Sequence, residues 1–336
     1  MHTAIFRFLN ITLPLMVVCT LLASVSNAAT PAEEAESRFQ EGVALNKERR
    51  FDDAIIEFAQ AVKLRINTHK YHRALHRTYL ATRRGRLGIS FYKSLVRNHP
   101  KNPIVHYWLG RFYLSGRELD ASVREFKKVT LLAPESEHGF ISLGHVYARL
   151  DKNDEALDAY RKADALVPDI PIVLVGMGSI YFLKGAYDKA QRAYEVALEK
   201  DGSYLEARFN LGLIYEKKGK YGEAAEQWKT MIDADPNESE ARGHLANLYF
   251  RAKLYMDAVR EYSMLSRIKL SDPNIFFALG EAQILLAAEL SDQADRDILK
   301  MRARESFERV VELEPQNVAA KRYLDRLKAM EKSKRN

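Results

Sequence analysis

Tyrosine recurs at a fixed interval: Tyr79, Tyr113, Tyr147, Tyr181, Tyr215 and Tyr249 are spaced by 34 residues. Six in register, in a chain with 17 tyrosines among 336 residues, mark a repeat period. Such a chain stacks small units, each burying its apolar face only against a neighbour. Other frames share the period. Gly42, Gly110, Gly144, Gly178, Gly212 and Gly280 form one, with His76 and Ala246 in its gaps. Ala54, Gly88, Ser122, Ala156, Ala190, Ala224 and Ala258 form a second. Phe58, Tyr92, Phe126, Tyr160, Tyr194, Trp228 and Tyr262 form a third.

Proline obeys the same grid. Pro100, Pro134, Pro168 and Pro236 share one frame, and Pro103, Pro171 and Pro273 sit three residues later. Proline breaks helix interiors but is tolerated in a first turn. Each repeat therefore keeps two proline-free stretches, each long enough for a short helix. Phe140, Leu143, Gly144 and Tyr147 make one helical face, and Ala156, Tyr160 and Ala163 make a second. Asp151–Asp154 is the polar turn between them. By propensity alone, Pro171–Val175 could be a strand. The register of Gly178 and Tyr181 predicts a helix there instead.

These recurring small, aromatic and proline positions resemble the tetratricopeptide repeat (TPR) family, from about Ala35 to Val318. The clearest units are Glu137–Ile170, Pro171–Tyr204 and Leu205–Glu238; the unit from His69 is degenerate, with His76 in place of Gly. The resemblance implies an all-α fold, a right-handed α-solenoid of eight helix pairs. Units start at 35, 69, 103, 137, 171, 205, 239 and 273. The last carries an 11-residue insert between Gly280 and Pro315. Eleven residues is close to three helical turns, so both helices can lengthen and keep their faces. The tip is expected around Leu286–Asp297. Residues 316–336 read as a capping helix and basic tail, with Val318, Leu324 and Leu327 inward.

The first residues read as an export segment rather than as fold. Arg7 is the only charge before an apolar run, Ile11–Ala23, and Ser26-Asn27-Ala28 offers a cleavage site after Ala28. The division is thus a cleaved signal peptide over 1–28, a short linker over 29–34 and the array over 35–318. The compartment implied is the periplasm or the exterior. Retention as a membrane anchor by residues 5–26 is the alternative. Cys19 is the only cysteine, so no disulfide framework or Cys-based metal site is available. Met16-Val17-Val18 is too bulky a lead-in for lipidation of Cys19.

Net charge is +7, unevenly placed. From Ala61 to Lys101 there are eleven Lys or Arg and no Asp or Glu. The resemblance implies that first helices line an inner groove. Off the core stripe these helices carry Arg73, Arg77, Tyr107, Arg111, His145 and Arg149, then an apolar wall of Val175, Phe182, Phe209 and Leu213. That pattern suits a peptide or protein partner, including one rich in carboxylates, which Arg binds bidentately. Arg83, Arg84 and Arg86 form a separate basic patch at a turn, open to an anionic glycan or membrane surface.

No nucleophile–base pair, phosphate-cradling Gly loop or HExxH motif is present, so no enzyme, cofactor or metal is expected. His72 and His76 are four apart but lack a third ligand. No nucleic-acid motif accompanies the basic residues. The function expected is a non-enzymatic, envelope-located interaction scaffold. The alternative is a binder of anionic polysaccharide or lipid headgroups.

Overall fold

The computed structural model describes residues 29–335, with side chains to 330. The export segment, Cys19 and the anchor alternative lie outside the described residues. Among the described residues there are seventeen helices and no strand. They fall into two compact units, meeting at Glu135 and Ser136.

Unit 1 holds three helix pairs: α1 (Pro31–Lys47) with α2 (Phe51–Leu64), α3 (His69–Ala81) with α4 (Gly85–Asn98), and α5 (Pro103–Ser115) with α6 (Leu119–Leu132). Unit 2 holds five: α7 (Glu137–Arg149) with α8 (Asn153–Leu166), α9 (Pro171–Leu183) with α10 (Tyr187–Lys200), α11 (Leu205–Lys217) with α12 (Tyr221–Ala234), α13 (Ser239–Arg251) with α14 (Tyr255–Ile268), and α15 (Pro273–Glu289) with α16 (Gln293–Leu313). A last helix, α17 (Val318–Arg335), packs on α16. Pro171–Val175 is helical, with Pro171 at the first turn and Val173, Leu174 and Val175 buried.

Residues 29–34 are not a linker. Thr30 and Glu33 close a reciprocal capping box, and Pro31 opens the helix, so α1 starts four residues before Ala35. Val318 is a second difference. It is 59% exposed at the start of α17, while Ala320, Leu324 and Leu327 fill the buried face.

In six of the eight pairs a ring from the second helix lies against a glycine of the first. Phe58, Phe126, Tyr160, Tyr194 and Trp228 are almost wholly buried. A Cβ at Gly178 would stand 2.7 Å from the Tyr194 ring, and one at Gly212 would stand 2.5 Å from Trp228. Glycine therefore sets how closely these helices approach.

The turn within each of the first seven pairs is a Schellman motif. In the first, Arg49 N–H donates to Asn46 O and Arg50 N–H donates to Leu45 O. Its hinge residue sits at left-handed φ, and the same holds at every 34th residue. These residues are Arg49, Arg83 and Arg117 in unit 1, and Asp151, Gly185, Gly219 and Lys253 in unit 2. Glycine occupies that well freely, whereas an L side chain there costs about 1–2 kcal/mol.

A second device recurs at the fourth position of several repeats, counted from residues 35, 103, 205 and 239. Arg38, His106, Arg208 and Arg242 each bond a side chain 19 residues on: Glu57, Glu125, Gln227 and Glu261. His106, Arg208 and Arg242 also donate to a carbonyl of the preceding loop, on Pro100, Gly202 and Pro236. One side chain thus ties a helix to its partner and to the connection before it.

The eighth pair absorbs its insert by lengthening. Its helices have 17 and 21 residues, against 13 and 14 in the pair before. Leu286, Ala287 and Leu299 bury a small core near its end. Asp292 accepts from Asp295 N–H to cap α16.

Candidate functional site

In unit 1 two neighbouring first helices, α3 and α5, carry cations on one face. Arg73 and Arg77 are one turn apart on α3; Tyr107 and Arg111 hold the same repeat positions on α5. Arg73 and Arg77 are exposed, and neither meets an acidic side chain among the described residues. Arg111 donates to Tyr107 Oη at 3.1 Å, and its guanidinium lies 5.9 Å from both the Tyr107 and Trp108 ring centres. Trp108 is itself buried and stacks on His72 with an interplanar angle of 6°. A cation is thereby held on an aromatic shelf with no carboxylate among the described residues to neutralise it.

The histidines beneath that shelf are neutral. His72 Nε2–H donates to Ile66 O, so its Nδ1 accepts from Tyr92 Oη. Burial pushes His72 down to about 4. Burial, helped by the Arg111 charge, does the same to His76, also to about 4. Both are packed in the core, at 0% and 6% exposure. Among the described residues no group of three His, Cys, Asp or Glu side chains could hold a metal ion. Arg83, Arg84 and Arg86 lie apart from this face, exposed at the turn between α3 and α4.

Unit 2 holds the remaining expected groove residues, and they do not form one wall. His145 is half-buried, edge-on to Tyr160 at 5.8 Å, and Arg149 is exposed. Val175 is 5% exposed and belongs to the core with Tyr194 and Leu211. Its short β-branched side chain stays within the helix packing. Phe209, at the same repeat position, reaches the surface layer and meets His244 edge-on at 5.2 Å. Leu213 packs beside it in the same cluster. Phe182 lies against Tyr187, the first residue of α10, at 5.5 Å, and so closes the end of its own pair.

A hollow that the sequence reading missed lies on α13, α14 and α15. It has a volume of about 470 Å³ and is lined by Glu240, Gly243, His244, Asn247, Lys269 and Asn274 among others. Gly243 falls at the repeat position held elsewhere by Arg73, Tyr107, Val175 and Phe209. A missing side chain at that place opens the hollow. Tyr262 Oη donates to Asn247 Oδ1 at 2.6 Å. Burial holds His244 below the usual histidine range.

Antiparallel pairs stacked through their own cores, each leaving a face of its first helix uncovered, define a helical-repeat protein of the α-solenoid class. Tetratricopeptide-repeat profiles match residues 73–137, 138–169 and 209–267, and a TPR-repeat profile matches 178–219. The chain belongs to the tetratricopeptide-repeat family. Among solved structures, the C-terminal part of a TPR repeat-containing protein from Cytophaga hutchinsonii is similar at a TM-score of 0.59 and 16% identity, over 76% of this chain and 99% of that one. Pseudomonas aeruginosa pilF is similar at 0.51 and 19% identity, over 68% and 97%. The APC/C hetero-tetramer Cut9-Hcn1 is similar at 0.51 and 16% identity over 92% of this chain, which spans 58% of the length matched. At these identities the likeness concerns the fold. No curated protein sequence matches the chain.

Proposed function

We propose that this protein is a non-enzymatic interaction scaffold of the cell envelope that holds an acidic peptide segment on the open face of α3 and α5. Its TPR fold suggests a protein–protein interaction scaffold in the coarse sense. The observation that carries the finer reading is the set of Arg73, Arg77 and Arg111. Two have no acidic partner among the described residues, and the third is fixed on Tyr107 and Trp108. An unpaired, partly immobilised arginine loses little freedom when a carboxylate arrives, and the bond is bidentate.

Reversing Arg77 and Arg111 together, as Arg77→Glu with Arg111→Glu, should weaken binding of an Asp- and Glu-rich peptide by about 100-fold, since paired groups would then face like charge. Fluorescence anisotropy of a labelled peptide measures this. Unchanged affinity in the double variant would remove the assignment. The envelope location is supported by Ile11–Ala23 and Ser26-Asn27-Ala28. Mass spectrometry of the protein from its own host should find an N-terminus at Ala29. An intact Met1 would argue for the anchored form instead.

A further inference from the structure

The left-handed hinge of the intra-pair turn is where glycine fits best, and unit 2 places glycine there twice, at Gly185 and Gly219. Unit 1 places arginine there three times out of three, at Arg49, Arg83 and Arg117. All three are exposed, and none has an acidic partner among the described residues. Packing does not ask for them, and the backbone disfavours them.

The three turns share one edge of unit 1. Rings on α1 and α3 touch, Phe39 on Tyr71 at 5.2 Å, and rings on α3 and α5 touch, His76 on Phe112 at 4.6 Å. These first helices run side by side, so their ends fall in a row. Arg84, in the second turn, donates to Asp52, just beyond the first, at 3.2 Å. Asp53 is likewise taken up by Arg50. Arg86 adds a fourth cation without an acidic partner among the described residues. Glu118 and Asp120 flank Arg117, so positive charge is densest at the middle turn. At that middle turn two leucines are uncovered as well: Leu80 is 38% and Leu87 58% exposed.

We propose that this edge of unit 1 docks on the surface of an anionic lipid bilayer. A row of unpaired guanidiniums matches a plane of headgroup phosphates, and Leu80 and Leu87 can enter the interface beside them. A soluble polyanion would use the arginines and leave the leucines idle. The docking edge shares no residue with the peptide face of Arg73, Arg77 and Arg111, so either can hold without the other.

The test is sedimentation of the full chain with vesicles of phosphatidylcholine alone or with phosphatidylglycerol added. Binding is expected only to the anionic vesicles, weakening as salt rises. Arg49→Gly, Arg83→Gly and Arg117→Gly together should melt no lower than the parent chain, because glycine suits each hinge. The same variant should lose about 100-fold in vesicle partitioning, near fivefold for each cation removed. Leu87→Ser should weaken binding and leave the salt dependence unchanged. Failure of the parent chain to bind anionic vesicles, or parent-like binding by the triple variant, would overturn the proposal. So would equal binding to a soluble sulfated polysaccharide with no effect of Leu87→Ser, which would give the edge to a glycan.

Discussion

Replacing Arg242 alone by Met, or Glu261 alone by Leu, is expected to destabilise unit 2 by about 3–5 kcal/mol. The two side chains are 6% and 10% exposed and joined by a short hydrogen bond. Arg242 also donates to Pro236 O at 2.9 Å. Removing Glu261 leaves Arg242 desolvated with no counter-charge, and removing Arg242 leaves Glu261 only the exposed Arg260, whose Nε donates to Oε1 at 3.2 Å. The double variant should cost clearly less than the sum of the singles, since no charge is then stranded. Arg38 and Glu57 make the same bond in the same repeat position, but their side chains are 37% and 19% exposed. That pair should be worth no more than about 1 kcal/mol. Urea unfolding compares the two, followed by Trp228 fluorescence in a Trp108→Phe background for unit 2 and by Trp108 fluorescence in a Trp228→Phe background for unit 1. Equal losses from the two pairs would show that burial does not set the magnitude.

Unit 1 should lose stability on mild acidification. His72 and His76 have folded pKa values of about 4, against an ordinary 6.5. Between those values the unfolded chain binds protons that the folded chain refuses, so stability is full above pH 6.5 and drains away as pH falls toward 4. The expected loss is about 3 kcal/mol for each histidine. His106, one repeat later than His72, runs the other way. Its Nδ1 faces Glu125 at 2.7 Å and its Nε2 faces Pro100 O, two acceptors that only the imidazolium can satisfy together. Glu125 raises its pKa. Its contribution is therefore complete below the ordinary histidine pKa and lost as pH rises through the raised one. Trp108 fluorescence in a Trp228→Phe background reads unit 1, because Trp108 packs on both His72 and His76. An unfolding midpoint that stays level from pH 6.5 to 4 would refute the assignment.

How much of this was legible in the sequence follows from what each feature needs. The helix pairs were legible because small and aromatic residues answer one another at every period, and proline marks the joints. The start of α1 was written in Thr30 and Glu33, but the same residues also look like a polar spacer. The cations of the peptide face could be read as charge. Their fixing by Tyr107 and Trp108 could not, since it depends on how α5 sits in the fold. Val175 and Phe209 occupy equivalent positions and differ only in reach, which hydrophobicity does not report. The hollow beside Gly243 is marked by an absent side chain, and absence has no chemistry to recognise. The tie at the fourth repeat position escaped because Arg, His, Phe and Leu all occur there and the answering group is 19 residues away.

The lengthened eighth pair shows which size changes such a chain accepts. Relative to the pair before, α15 is four residues longer and α16 seven. Four and seven are close to one and two turns, so every stripe returns to its old bearing. An addition of two residues would swing the outer part of a helix by about 200° and turn its apolar stripe to water. Evolution can therefore adjust these hairpins only in near-whole turns, as a thread advances by its pitch. For the protein engineer, a tag or a grafted loop belongs at residues 290–292, where one such step has already been taken.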